Sequence, residues 1–203
     1  ALQREGAELV GVNALQDEAL PLLDGLYIGG GFPETSAKEL AANSSFRRSV
    51  RRAARDGLPI YAECGGLIYL GQSIVLDDRE HALAGVFPVR FGMSKKPQAH
   101  GYSIFEVELE NPYYTRATQI KGHEFRYSTV LEWSGRIEDL AFRMTRGKGF
   151  MGGRDGLCYN NVLALYTHVH AGGTPEWAAG FIGFCRRRKK QLHRPLDRPL
   201  EKP

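Results

Sequence analysis

The spacing of apolar positions changes several times along this chain, and each change marks an element. Residues 2–6 read as the end of a helix stopped by Gly6, and Glu8-Leu9-Val10-Gly11-Val12 predicts a strand. Gly25-Leu26-Tyr27-Ile28 predicts a buried strand that runs into Gly29-Gly30-Gly31-Phe32-Pro33. Pro33-Glu34-Thr35-Ser36 opens a helix that continues over residues 38–43. A second helix starts at Ser45-Phe46 and ends at Asp56-Gly57. Its stripe of Arg47, Arg48, Arg51, Arg52 and Arg55 reads as a solvated face. Residues 59–62 form the next apolar strand and residues 65–70 the next helix.

Strands that alternate with helices predict an α/β fold, a mostly parallel open sheet flanked by helices. In such sheets ligands bind beyond the carboxyl ends of the strands, where both glycine-rich stretches fall. From about Val86 the texture becomes β-like. Residues 86–91, 101–107, 122–128, 141–144 and 158–165 predict strands joined by turns, and residues 176–184 a closing helix. The chain opens on a helix end rather than a strand, so we expect its first strand and a preceding domain to lie outside it. Residues 1–185 are expected to form one domain and residues 186–203 a basic tail.

Composition narrows the class. With 203 residues, 42% hydrophobic and 25% charged, the chain suits a soluble globular domain. No apolar run approaches the ~18 residues of a membrane span, and Ala1-Leu2-Gln3-Arg4-Glu5-Gly6 is too polar for a signal peptide. Three cysteines, Cys64, Cys158 and Cys185, suit a reducing cytoplasm better than a disulfide scaffold. No Cys/His spacing suggests zinc, and no metal site is expected. Five basic residues run from Arg186 to Lys190, and Arg194 and Arg198 follow. Without these seven, the 27 basic residues no longer outnumber the 23 acidic ones. The run carries no interleaved aromatics, so nucleic acid is not expected as a partner; nor, without an apolar span, is a membrane, and the tail reads as a frayed, solvated end.

The chemistry concentrates at Pro59-Ile60-Tyr61-Ala62-Glu63-Cys64-Gly65-Gly66-Leu67. Cys64 sits where a strand turns sharply into a helix, a setting in which the helix N-terminus favours thiolate. The Gly65 amide, with amides of the Gly29–Gly31 stretch, could face a developing oxyanion. A thiol nucleophile needs a base. His81 lies in a charged, solvent-exposed loop beside Asp77, Asp78, Arg79 and Glu80, His193 in the tail, His100 in a polar loop and His123 in a β segment. His168 and His170 close the apolar strand over residues 161–167 and share one face if the strand continues. On the residues alone both remain candidates, and a structural histidine bonded to backbone remains the plain alternative. Cys158 and Cys185 read as packing residues.

The motifs DGLYIGGGFPE (24–34), PIYAECGGLIYL (59–70), GHEFRYS (122–128) and YTHVH (166–170) together resemble a known family. It is the C-terminal glutamine amidotransferase domain of the cobyrinic acid a,c-diamide synthases, similar to the triad-type, class I amidotransferases of flavodoxin-like fold. The resemblance implies that Cys64 attacks the amide of glutamine, that His168 is the base, and that Gly30, Gly31 and Gly65 form the oxyanion hole. It implies that ammonia passes to an N-terminal ATP-dependent synthetase domain, where ATP and Mg serve amidation of a corrinoid or related tetrapyrrole acid in cobalamin biosynthesis. No cofactor is expected in this domain, and a homodimer is left open. His123, Glu124 and His170 are candidate substrate or interface residues. Many triad enzymes place a Glu two residues after the histidine, where this chain has His170. The chain has no P-loop, and Arg126 stands in GHEFRYS where the family's His is expected. The competing readings are a cysteine hydrolase or amidotransferase for another acid, and an inactive docking module.

Overall fold

The computed structural model describes residues 1–192. Its centre is a four-stranded sheet in the order β1 (Leu26–Ile28), β2 (Ile60–Glu63), β12 (Val162–Leu165), β11 (Leu157–Tyr159). The first three strands are parallel and β11 closes the edge antiparallel. Between β1 and β2 the chain crosses over through a 3-10 turn at Pro33–Ser36, α1 (Ala37–Ala42) and α2 (Ser44–Arg55). Asn43 caps α2 by accepting from the Phe46 amide. Phe46, Val50 and Ala54, spaced by four, form the buried stripe. Arg48, Arg51, Arg52 and Arg55 face solvent as expected, while Arg47 folds back onto the carbonyls of Ala41 and Leu83.

The inner strands β2 and β12 are buried on both faces, and their alternation divides the core in two. Ile60, Ala62, Val162 and Ala164 point into one cluster with α2 and α3 (Gly65–Leu70). Tyr61, Leu163 and Leu165 point into the other, against Trp177, Phe181 and Ile182 of α4 (Pro175–Leu192). Two further sheets flank this layer. One has the order β4 (Arg79–Ala82), β3 (Ser73–Leu76), β5 (Val89–Met93), β8 (Ser128–Trp133). The other has the order β10 (Arg154–Asp155), β9 (Phe142–Arg146), β6 (Ala99–Val107), β7 (Gln119–Arg126), β13 (His168–Val169). These carry the β-like texture seen after Val86. No helix among the described residues is long and apolar enough to cross a membrane.

Several expectations are corrected. Residues 2–6 form successive turns rather than a helix end, with Gly6 at φ +85. Residues 8–12 belong to no sheet, and Leu9 and Val10 are 58% and 55% exposed. An apolar run becomes a strand only when an edge pairs with it. His81 lies in β4, paired with Ile74, rather than in a loop, and His100 lies in β6. Cys158 is exposed on the edge strand β11, whereas Cys185 is buried against Gly25. The basic run does not begin a frayed tail at residue 186, because α4 continues through it to Leu192. There Lys189 bonds Asp24 at 2.9 Å and Arg186 donates to the Glu5 carbonyl. His193, Arg194 and Arg198 lie outside the described residues.

Candidate active site

β2 delivers Cys64 to the carboxyl edge of the central sheet, and α3 begins at the next residue. Cys64 adopts φ 45°, ψ −99°, a left-handed conformation that a side chain rarely takes. Both neighbouring elements hold it there. Its amide donates to the Leu165 carbonyl of β12 at 2.8 Å, and its carbonyl accepts from Ile68 at 3.0 Å. The glycines that follow permit close packing: a Cβ on Gly65 would lie 2.5 Å from the Gly31 carbonyl oxygen and 2.7 Å from its nitrogen. A Cβ on Gly66 would run into the Ile28 carbonyl. The loop after β1 is therefore laid directly on the elbow.

The same loop touches His168, since a Cβ on Gly30 would collide with its imidazole ring. Gly30 and Gly31 are themselves exposed. His168 opens β13, which pairs with β7 so that His168 opposes His123. The two rings stack with centroids 4.7 Å apart and planes 11° from parallel. The strand reaches this position through residues 166–167, whose amides both donate to the fully buried Asp155 carboxylate, as does the Thr167 hydroxyl. His168 Nδ1 lies 3.9 Å from Oε2 of Glu63, the buried residue that precedes Cys64.

The electrostatics differ from the expectation of a free thiolate. Burial pushes the Cys64 thiol up to about 11, outweighing the Gly65 amide and the Arg126 guanidinium, which both favour the charged form. The sulfur lies 3.7 Å from the Phe125 carbonyl, where the S–H donates. Burial lowers the His168 pKa, and the neighbouring His123 lowers it further. Both shifts favour the neutral thiol and the neutral imidazole.

The remaining candidates are placed elsewhere. Glu124 is buried, and its two oxygens accept from the amides of Lys148 and Gly149 at 2.8 and 2.6 Å, so it braces a loop inside the domain. His170 lies past the end of β13, exposed, and its Nδ1 accepts from the Gly172 amide, so the strand that was to carry both histidines stops short of it. Arg126 stacks 3.9 Å over the Tyr166 ring and donates to the carbonyls of Ser128 and Gly149. Sequence reasoning passed over Glu63 and Asp155. The signal for Glu63 was a lone carboxylate ending a wholly apolar strand; Asp155 sits in a Gly-rich stretch that reads as surface turn.

Residues 1–175 match the model of the CobB/CobQ-like glutamine amidotransferase domain. The chain belongs to this family. It is 40% identical over 188 residues, 93% of the chain, to a cobyrinate a,c-diamide synthase of Magnetococcus marinus. It is 43% identical over 181 residues, 89% of the chain, to that of Methanothermobacter thermautotrophicus. It spans 40% and 39% of the length of these relatives. A solved glutamine amidotransferase shares the fold, with TM-score 0.57 at 20% identity over 81% of this chain and 80% of its own. The expected class I glutamine amidotransferase-like fold is the one present, and the chain is a glutamine amidotransferase domain.

Proposed function

We propose that this domain is the glutaminase part of a cobyrinate a,c-diamide synthase. The observation that carries the reading is the Gly29–Gly31 loop, which lies against both the Cys64 elbow and the His168 ring. In the proposed reaction His168 takes the Cys64 proton as sulfur attacks the side-chain carbonyl carbon of glutamine. The amides of Gly30, Gly31 and Gly65 receive the oxyanion. The imidazolium then protonates the departing nitrogen, ammonia leaves, and a thioester to Cys64 remains. Water, deprotonated by His168, hydrolyses it to glutamate and restores the thiol.

The two relatives named above are cobyrinate a,c-diamide synthases with more than half their length outside this match. The ammonia is accordingly assigned to an ATP- and Mg-dependent partner domain that amidates the a and c carboxylates of the corrinoid. The test uses the full-length polypeptide with cobyrinate, ATP and either glutamine or ammonium. Cys64→Ala should reduce glutamine-dependent amidation to below ~10⁻³ of wild type while ammonium still supports it. Undiminished glutamine-dependent amidation in Cys64→Ala would overturn the reading.

A further inference from the structure

Glu63 ends a strand whose other residues, Ile60, Tyr61 and Ala62, are fully buried, and it is itself only 3% exposed. A carboxyl in such a place costs stability unless its oxygens are used. Oε2 accepts from the Tyr27 hydroxyl at 3.2 Å, and Oε1 accepts from the Val169 amide at 3.2 Å. Val169 directly follows His168, whose Nδ1 is 3.9 Å from Oε2. One carboxyl thus grips β13 through the backbone and faces the imidazole edge. The ring is also confined on two other sides, by Gly30 and by stacking on His123. The carboxylate that many triad amidotransferases carry two residues after the histidine is replaced by His170, which is turned to the Gly172 amide.

We propose, resting on the glutaminase reading above, that Glu63 is the positioning residue of His168. Its carboxylate keeps the imidazole proton on Nδ1, leaves Nε2 as the basic nitrogen for the Cys64 thiol, and stabilises the imidazolium formed when that proton arrives. Glu63 itself takes no proton in the cycle; the sulfur proton goes to Nε2 and then to the leaving nitrogen. The separation exceeds hydrogen-bond length, as is common before substrate is bound. The titratable groups that face Glu63 are Tyr27 from β1, Tyr61 from β2, Tyr114 from the loop after β6, and His168 with His123 behind it. Burial raises the Glu63 pKa to about 7, partly offset by its bonds to Val169 and Tyr27, so the orienting charge is present on the alkaline side of that value.

Two measurements on the full-length polypeptide decide this. The first needs no variant of Glu63. In ¹⁵N-histidine-labelled wild type at about pH 8, with the His168 signal assigned by its loss in His168→Gln, the neutral ring should carry its proton on Nδ1. A proton on Nε2 overturns the proposal. The second compares glutaminase kinetics. Glu63→Gln presents an amide to the ring, and kcat should fall about 10- to 100-fold with KM changed less than about 2-fold, and Glu63→Asp should recover part of the loss. A wild-type kcat and pH profile in Glu63→Gln overturns the proposal while leaving the glutaminase reading intact. Ammonia release that survives in Cys64→Ala sinks the glutaminase reading instead, and the tautomer measurement still decides what Glu63 does to the ring.

Discussion

His168 and His123 face each other ring to ring across the β7–β13 ladder, 4.7 Å between centroids and 11° from parallel. The contact follows from register: a two-residue strand pairs with β7 so that the two imidazoles fall on the same side of the same rung. Stacking fixes the plane of His168, shields it from water and sets a second titratable ring against it. Burial and His123 both disfavour the charged form of His168. In the proposed reaction a base with a depressed pKa stays neutral, and therefore competent, further into acid.

His123→Ala removes the neighbouring ring and opens His168 to solvent, so both causes of the depression weaken and its pKa rises. The acid limb of kcat/KM for glutamine hydrolysis should move to higher pH. Activity should fall roughly 2- to 10-fold near pH ~6 and less near pH ~8. A limb that stays in place or moves toward acid would show that His123 does not set the protonation of His168.

The Cys64 backbone gives a stability prediction. At φ 45° a Cβ is strained, at a typical cost of about 1–3 kcal/mol, which glycine relieves. Cys64→Gly and Cys64→Ala should both lack glutaminase activity. Cys64→Gly should nevertheless unfold in urea about 1 kcal/mol later than Cys64→Ala, despite the greater chain entropy of glycine. The reverse order would mean that the elbow costs the fold nothing.

The parts of this architecture legible in sequence are those written by local punctuation. The span of α2, its solvated arginine face and the Cys64-Gly65-Gly66 elbow each need only neighbouring residues to be read, whereas the Asn43 cap falls two residues before the expected Ser45 start. The β3–β4 hairpin was hidden because Asp77-Asp78 reads as a charged loop. Both residues in fact take positive φ, 46° and 59°, and close a tight turn between strands. Residues 8–12 carry strand-like composition, but pairing is non-local. Glu63 and Asp155 were missed for the same reason. Their partners lie 36 and 106, and 11 and 12, residues away. No local pattern announces that a carboxyl will be buried, and the sequence around Cys64 shows the strand-to-helix elbow without showing the carboxyl that faces His168.

Those two buried carboxyls should also shape stability against pH. Burial raises Glu63 from 4.5 to about 7 and Asp155 from 3.8 to about 6. In each case the folded state holds the proton more tightly than the unfolded chain. The stabilising contribution is therefore complete below the unfolded value and is lost as pH rises through the folded one. This is opposite in sign to the exposed carboxylates Glu80, held below its ordinary value by the Ser73 hydroxyl and then by Arg90, and Asp139, held down by Arg136, which act only at more acidic pH. Wild type also carries the opposing titration of His168, so the difference between two proteins is the clean observable. The unfolding free energy of Glu63→Gln minus that of wild type should grow by about 1–3 kcal/mol as pH rises from 4.5 to about 7, and level off above it. Urea denaturation at half-unit pH intervals measures this directly. A difference that stays flat over the window would mean that Glu63 is ionised in the fold at no cost. Its burial beside His168 would then have to be offset by Tyr27, Val169 and the ring itself.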